Sequence, residues 1–287
     1  MNTSYKKTGY LLDDFRLFHL NEKQIGTVDY HYHDFYKLFI LKSGNGGYSI
    51  DGQRYSLTDG DMVFIGKQQL HRPEFDSNFP YDRIIIYIDP DFLEGHNSEE
   101  CDFTKIFDGS WGKVLRTSKS QRKLLFELLG FLEEELANKH YGRNVMSNAI
   151  LMQLLLRIAR DMQSIDAQLV TSTANMNKRT VEILKYIDEH VAEDLTIDDI
   201  AEVFFISKYH MMRSFKEDLG QSIYNYITER RLLLAKSLMN QGLSATDSCY
   251  QVGFKSYSSF TRAYAKRFGT TPTGRMDSKA RLEETYE

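Results

Sequence analysis

Arg213 and Arg262 hold the most informative chemistry in this chain. A guanidinium on the open face of a helix can fork onto the O6 and N7 atoms of a guanine, and here two arginines stand in matched surroundings. The first lies in LTIDDIAEVFFISKYHMMRSFKEDLG, Leu195 to Gly220, and the second in LSATDSCYQVGFKSYSSFTRAYAKRFGTTP, Leu243 to Pro272. Each stretch has a short helix with apolar spacing, a tight turn, a serine placed to cap, and a second helix stopped by glycine. In the first copy Met211, Phe215 and Leu219 make a stripe for burial, which leaves Tyr209, Met212, Arg213 and Lys216 on another. In the second, Phe260, Tyr264 and Phe268 are the stripe for burial, and Ser258, Ser259, Arg262 and Lys266 point elsewhere. One amphipathic helix with one arginine is ordinarily a solvated surface helix. Two matched copies favour a pair of helices that read DNA.

Local charge agrees with that reading, although the whole chain carries a formal net charge of -4. From Val203 to Met276 there are eleven basic residues: Lys208, Arg213, Lys216, Arg230, Arg231, Lys236, Lys255, Arg262, Lys266, Arg267 and Arg275. Only four acids, Glu217, Asp218, Glu229 and Asp247, oppose them, a surplus of +7. A basic stripe of this kind is a footprint of phosphate contacts, and its binding weakens steeply with salt. Between the copies, SIYNYITERRLLLAKSLMNQG reads as one long helix. Ile223, Tyr226, Ile227, Leu233, Leu234 and Leu238 recur at helical spacing, and Gly242 supplies the stop. About 18 residues at 1.5 Å each span roughly 27 Å. That length suits two reading helices set near one turn of DNA apart, about 34 Å, so one chain would read two successive major-groove segments.

These residues resemble the AraC/XylS-type transcription regulators, from Arg179 to Arg275. SKYHMMRSFKEDLG is similar to the family's first reading helix, the segment starting near Ile223 to its linker helix, and VGFKSYSSFTRAYAKRFGTTPTGR to its closing signature. The resemblance implies base contacts from Tyr209, Met212 and Arg213 in the first unit and from Ser258, Ser259 and Arg262 in the second. It implies phosphate contacts from Lys208, Lys255 and Ser256; Lys216, on the outward stripe, completes the candidate DNA-binding set. Gly253 and Phe254 match the family's Gly-Phe at the second turn, the glycine for backbone freedom and the phenylalanine for packing. Two places depart from the pattern. Ser248-Cys249 stands where Ile-Ala is usual, which exchanges an apolar contact for a hydroxyl and predicts looser packing. Gly274-Arg275-Met276 lacks the aromatic that usually precedes the arginine.

The rest of the chain calls for a different account. With 287 residues and 41% hydrophobic composition it can bury more than one core. Its two cysteines, Cys101 and Cys249, fall in different expected domains, which argues against a disulfide framework and fits a reducing cytosol. MNTSYKKTGYLLDDF has none of the apolar run of a signal peptide. The stretch from Ala149 to Ile158, interrupted by Gln153 and Arg157, is too short to span a bilayer. The expectation is a soluble cytoplasmic protein with no membrane partner.

From Phe15 to Ile88, short β-type runs alternate with turn signals. FYKLFILKSG, GGYSIDGQRYSL, GDMVFIGKQQLH and YDRIIIYI are the clearest runs, and SGNGG, DGQ and TDGD are expected hairpin turns. Short antiparallel strands at this spacing suggest a small double-sheet barrel or jelly roll. HYHDFYKLFILKSGNGGYSIDG followed by GDMVFIGKQQLHRPE is similar to the sugar-binding cupin half of AraC-type regulators.

Metal-binding cupins carry His-x-His, a Glu four residues on, and a distant His. Here His31, His33 and His71 are present, but Lys37 takes the place of the Glu. An ammonium removes one donor and puts positive charge where a cation would sit. No metal and no other cofactor is therefore expected, although three neutral imidazoles stay competent for zinc. His31, His33, Lys37 and His71 are instead expected to line the mouth of the barrel and hydrogen-bond a small polar effector. Lys37 favours an anionic or hydroxyl-rich one, such as a sugar or sugar acid. Scattered surface histidines with no ligand are the plainer alternative. Tyr32, Tyr36, Tyr48 and Tyr55 offer stacking faces, yet aromatics at alternating strand positions are more often core.

Asp91 to Gly112 reads as irregular and holds the only tryptophan, Trp111, as a packing anchor. Two helices follow, SQRKLLFELLGFLEEELANK and NVMSNAILMQLLLRIARDMQ. The first has a broad stripe of Leu124, Leu125, Leu128, Phe131, Leu132 and Leu136. The second is apolar over more than one face, through Val145, Met146, Ala149, Ile150, Met152, Leu155, Leu156 and Ile158, which predicts burial on two sides, one of them against a second copy of the chain. Simple covering of the barrel is the alternative. SIDAQLVTSTANMN, Ser164 to Asn177, is polar and lacks Pro, so it reads as a flexible linker.

The expected fold is multi-domain α+β. A cupin-like β-barrel or jelly roll spans 1–112 and a helical dimerisation segment 113–163. A linker covers 164–177, and an all-α DNA-binding domain covers 178–287, with two helix-turn-helix units joined by a long helix. The expected function is a sequence-specific DNA-binding transcription regulator, not an enzyme, acting as a homodimer on promoter DNA in response to a sugar-like effector. Activation is the family tendency, which makes RNA polymerase a partner. The alternatives are a regulator controlled by a protein partner or its own abundance, and a metal-dependent cupin enzyme with a DNA-binding tail. Lys37 and the lack of a nearby carboxylate base speak against the enzyme.

Overall fold

The computed structural model describes residues 11, 13–22, 30–75, 81–172, 174–175 and 177–274. They form two compact units. One holds 11, 13–22, 35–75, 81–172 and 174; the other holds 30–34, 175 and 177–274.

Aromatic and β-branched runs make the strands of the first unit: β1 (Phe15–Glu22), β2 (Tyr36–Ser43), β3 (Gly46–Ile50), β4 (Gln53–Leu57), β5 (Met62–Ile65), β6 (His71–Phe75) and β7 (Tyr81–Ile88). Two shorter strands join them, β8 (Val114–Arg116) and β9 (Gln168–Leu169). One sheet runs β1-β7-β2-β5-β8-β9, and a second contains β4-β3-β6. Side chains alternate between faces along a strand, and that alternation sorts the core in two. Leu38, Ile40, Met62, Phe64, Ile84, Ile86 and Ile88 pack with the helices on one side of the first sheet. Phe39, Leu41, Val63, Ile65 and Tyr81 face the other way and meet Tyr48, Ile50, Tyr55 and Leu57 of the second sheet. Strands buried on both faces need no polar alternation, so β2, β5 and β7 read as apolar runs.

The turns divide into two kinds. Asp51 and Gly52, at φ 48° and 78°, form the two-residue connection between paired β3 and β4. SGNGG and TDGD, expected as hairpins, are not hairpins. β2 and β3 lie in different sheets, as do β4 and β5, so both segments carry the chain from one sheet to the other. Glycine marks the reversal of the chain, while long-range packing chooses the partner strand.

Asp91 to Gly112 is less irregular than expected. Asp89 accepts the N–H groups of Asp91 and Phe92 and starts α1 (Pro90–Glu94), and α2 (Lys105–Asp108) follows. Trp111 packs against the helix-side core. A capping box of Ser118 and Gln121 opens α3 (Lys119–Ala137), which packs on α4 (Arg143–Gln163). Leu125, Leu128, Leu129 and Leu132 of α3 are buried, with Leu151, Leu154, Leu155 and Ile158 of α4. Leu124 and Phe131 do not join the buried stripe as expected; Phe131 is 60% exposed, and Val145 of α4 is 76% exposed. The expected linker contains a strand, since β9 pairs with β8 through Leu115↔Leu169 and Arg116↔Gln168. Strands of two or three residues are too short to show a period.

In the second unit α5 (Lys178–Glu189), α6 (Ile197–Val203), α7 (Lys208–Leu219), α8 (Ile223–Asn240), α9 (Ala245–Gln251) and α10 (Tyr257–Phe268) follow one another. Thr196, Ser207, Ser222, Ser244 and Ser256 each accept a backbone N–H of the first helical turn. α7 and α10 both end on a left-handed glycine, Gly220 at φ 72° and Gly269 at φ 71°. α8 packs against α5, α7, α9 and α10. On its inner side Asp188 accepts from Arg230 Nε at 2.7 Å and from the Tyr226 hydroxyl at 3.0 Å. Residues 30–34 belong to this unit as well. Tyr32 is buried with its ring edge-on to Tyr226, its carbonyl accepts from Arg267 at 3.3 Å, and Asp34 pairs with Lys236. Burial pushes the Tyr32 phenol well up from its ordinary value.

Ser248 and Cys249, the departure noted in α9, are both fully buried. The Ser248 hydroxyl has no hydrogen-bond partner among the described residues. A buried hydroxyl without a partner keeps its desolvation cost. Ser248→Ala should therefore stabilise this unit by about 1 kcal/mol, read as a higher thermal midpoint by circular dichroism; an unchanged or lower midpoint would refute the account.

Candidate nucleic-acid interface and effector site

Both reading helices present the faces their spacing implies. Met211, Phe215 and Leu219 anchor α7, and Phe260, Tyr264 and Phe268 anchor α10, all buried. Tyr209 is 84% exposed, and Met212, Arg213 and Lys216 are exposed beside it. On α10 and just before it Lys255, Ser256, Ser258, Ser259, Arg262 and Lys266 are exposed, while Lys208 at the start of α7 is half-buried. The second turn requires its glycine. Gly253 sits at φ 87°, and a Cβ there would come 2.9 Å from the Ala192 carbonyl oxygen and 3.0 Å from Cζ of Arg231. Arg231 in turn donates to the carbonyls of Val191 and Glu193, at 2.8 Å each, and pins that loop. In the first turn the left-handed position is taken by an exposed phenylalanine, Phe205, at φ 52°.

The basic surplus divides once each partner is seen. Arg230, Arg231 and Lys236 point inward, to Asp188, to backbone carbonyls and to Asp34, and so do not serve a phosphate stripe. Residue 275 lies outside the described residues. Four of the outward cations also have partners within the unit. Arg213 Nε is 2.8 Å from Glu217, whose carboxylate pushes the guanidinium further up; Lys208 is 2.8 Å from Asp198, and Lys255 is 2.7 Å from Asp194. Arg262 Nε reaches the Ser258 carbonyl at 3.4 Å. Asp194 and Asp198 are absent from the sequence-derived candidates, because nothing in the spacing links Asp194 to a lysine 61 positions later.

Lys37 and His71 lie in the first unit, on facing sheets, 4% and 0% exposed, so they sit inside the sandwich and not at a mouth. Lys37 Nζ is 3.5 Å from His71 Nε2. His71 Nδ1 is 2.8 Å from the Gln69 carbonyl, a partner that only accepts; the proton therefore sits on Nδ1 and Nε2 is left as an acceptor facing the ammonium. The Tyr48 and Tyr87 rings flank Lys37 Nζ at 5.8 and 5.9 Å from their centroids. Arg83, also buried, is on the same face of β7 as Tyr87. His31 and His33 belong to the second unit, their ring centroids 5.0 Å apart. Tyr36, Tyr48 and Tyr55 are core residues of the first unit.

Two helix-turn-helix units on one connecting helix, preceded by a double-sheet unit with a buried polar pair, define a DNA-binding regulator with a ligand-binding domain. Comparison with known proteins agrees. Residues 14–155 match a family described as the AraC-like ligand binding domain, and residues 200–275 match one described as a helix-turn-helix domain. The chain belongs to the AraC-type transcription regulators. The HTH-type transcriptional activator RhaS of Escherichia coli O139:H28 (strain E24377A / ETEC) is 26% identical over 257 residues, which cover 88% of this chain and 89% of RhaS. Among solved structures, ToxT from Vibrio cholerae is 15% identical, covers 91% of this chain and 97% of its own, and has a TM-score of 0.37. The C-terminal domain of AraT, a response regulator from Geobacillus stearothermophilus, is 23% identical over 38% of this chain and 97% of its own, with a TM-score of 0.34. Among the described residues no helix is long and apolar enough to cross a membrane.

Proposed function

We propose that this regulator activates transcription in the cytoplasm by seating α7 and α10 in successive major-groove segments of a promoter, in response to a small polar effector. The two matched, outward-facing helices carry this reading, with Tyr209, Met212 and Arg213 reading bases from one and Ser258, Ser259 and Arg262 from the other. Lys208, Lys216, Lys255 and Ser256 hold phosphates. RhaS is named an activator, which supports activation and with it contact to RNA polymerase. The effector is a sugar or sugar acid taken up beside Lys37 and His71, where a buried ammonium and an imidazole acceptor suit hydroxyl or carboxylate oxygens. The chain acts as a homodimer, joined through the open apolar face of α3 and α4 that includes Phe131 and Val145.

The test is binding of the purified chain to DNA upstream of its own gene, with random duplex as control, across a salt series and with candidate sugars and sugar acids. Specific binding that falls steeply with salt is the expected result; no binding even at low salt would sink the reading. Lys37→Gln should remove the effector response and leave DNA affinity without effector nearly intact. An unaltered response in that variant would take Lys37 out of the effector site.

A further inference from the structure

Two acids of the DNA-binding unit serve neither its core nor its reading faces. Asp194 and Asp198 come from one short stretch, the loop before α6 and the first turn of α6, yet they reach the two reading helices separately. Asp198 Oδ2 is 2.8 Å from Nζ of Lys208, directly after the cap of α7. Asp194 Oδ1 is 2.7 Å from Nζ of Lys255, directly before the cap of α10. The loop that carries Asp194 is held in place. Arg231 donates to the carbonyls on both sides of Ala192, and the Ala192 carbonyl lies where the second turn leaves no room for a Cβ on Gly253. A carboxylate-to-lysine pair is thus built twice, once beside the cap of each reading helix, from two acids four residues apart.

Asp194, Asp198 and Lys255 are largely open to water and Lys208 is half-buried, so the pairs add little to stability. Their effect falls on DNA binding. A phosphate oxygen that takes either ammonium must share it with a carboxylate or displace that carboxylate, and in both cases a negative charge stands beside the DNA backbone. We propose that Asp194 and Asp198 mask two phosphate-contacting lysines and so limit the sequence-independent part of the affinity for DNA. The proposal rests on the reading that Lys208 and Lys255 touch phosphates.

A double-mutant cycle separates the two. Binding of the full chain to a random duplex is followed by fluorescence anisotropy over a salt series, for the wild type, Lys255→Gln, Asp194→Asn and the combination. Lys255→Gln alone should weaken binding and reduce the salt slope by about one; with no such loss, Lys255 is not a phosphate contact and the underlying reading fails. Given that loss, Asp194→Asn should tighten binding about two- to fivefold, and this gain should largely vanish in the Lys255→Gln background. Equal tightening in both backgrounds would make Asp194 a general repeller of phosphate, and weaker binding by Asp194→Asn would make it a support for Lys255. Either result overturns the mask. The same cycle on Asp198 and Lys208 reads the first unit.

Discussion

Arg213→Ala combined with Arg262→Ala is expected to cost about 2–6 kcal/mol of specific DNA binding, from 1–3 kcal/mol for each guanine-reading arginine. The two losses should add, because the residues stand on separate helices with separate partners, Glu217 for one and the Ser258 carbonyl for the other. On a random duplex the same double variant should lose only what two fewer cations explain, with a salt slope lowered by about two at most. Titrations of operator and random DNA at one salt concentration make the comparison. Should both duplexes weaken equally, the arginines hold phosphates and the base readout must come from Tyr209, Met212, Ser258 and Ser259.

The largest effect on stability is expected at Arg116. Asp61 is fully buried, and Arg116 grips it with two bonds, Nε to Oδ1 at 3.0 Å and Nη2 to Oδ2 at 2.7 Å. The carboxylate in turn pushes the guanidinium up from its ordinary value. Arg116→Ala leaves Asp61 with only the backbone N–H and hydroxyl of Thr58. Removing one partner of a buried pair costs about 3–5 kcal/mol, and partial exposure of Arg116 places this case near 3. Trp111, the only tryptophan, packs in the core of the same unit and reports its urea unfolding by fluorescence. Adding Asp61→Ala should recover part of the loss, since the stranded charge is gone. A midpoint within experimental error of the wild type would show that the pair carries no such weight.

Much of the molecule is legible along the chain, for reasons that are local. Helix caps, glycine stops and a period of four residues depend on neighbours within one turn, so the anchors of α7 and α10 and the long α8 can be read directly. Asp51-Gly52 announces its turn for the same reason. Elsewhere the determinant lies outside the reach of any window. SGNGG reverses the chain but leads to another sheet, and β8 and β9 exist only because β5 and β8 offer them edges. Phe131 and Val145 lie in stripes that look like core, but exposure depends on which helix face meets the sheet.

The site residues divide in the same way. The sequence by itself determined the class of protein, two reading helices with their outward arginines, and the residue types of the effector candidates. Tertiary structure alone decided which of those charges are available. It turned Arg230, Arg231 and Lys236 inward, tied Lys208 and Lys255 to Asp198 and Asp194, and buried Lys37 against His71. Spacing along a helix or strand sets the direction of a side chain relative to its own element, whereas the partner of a charge is set by segments tens of residues away.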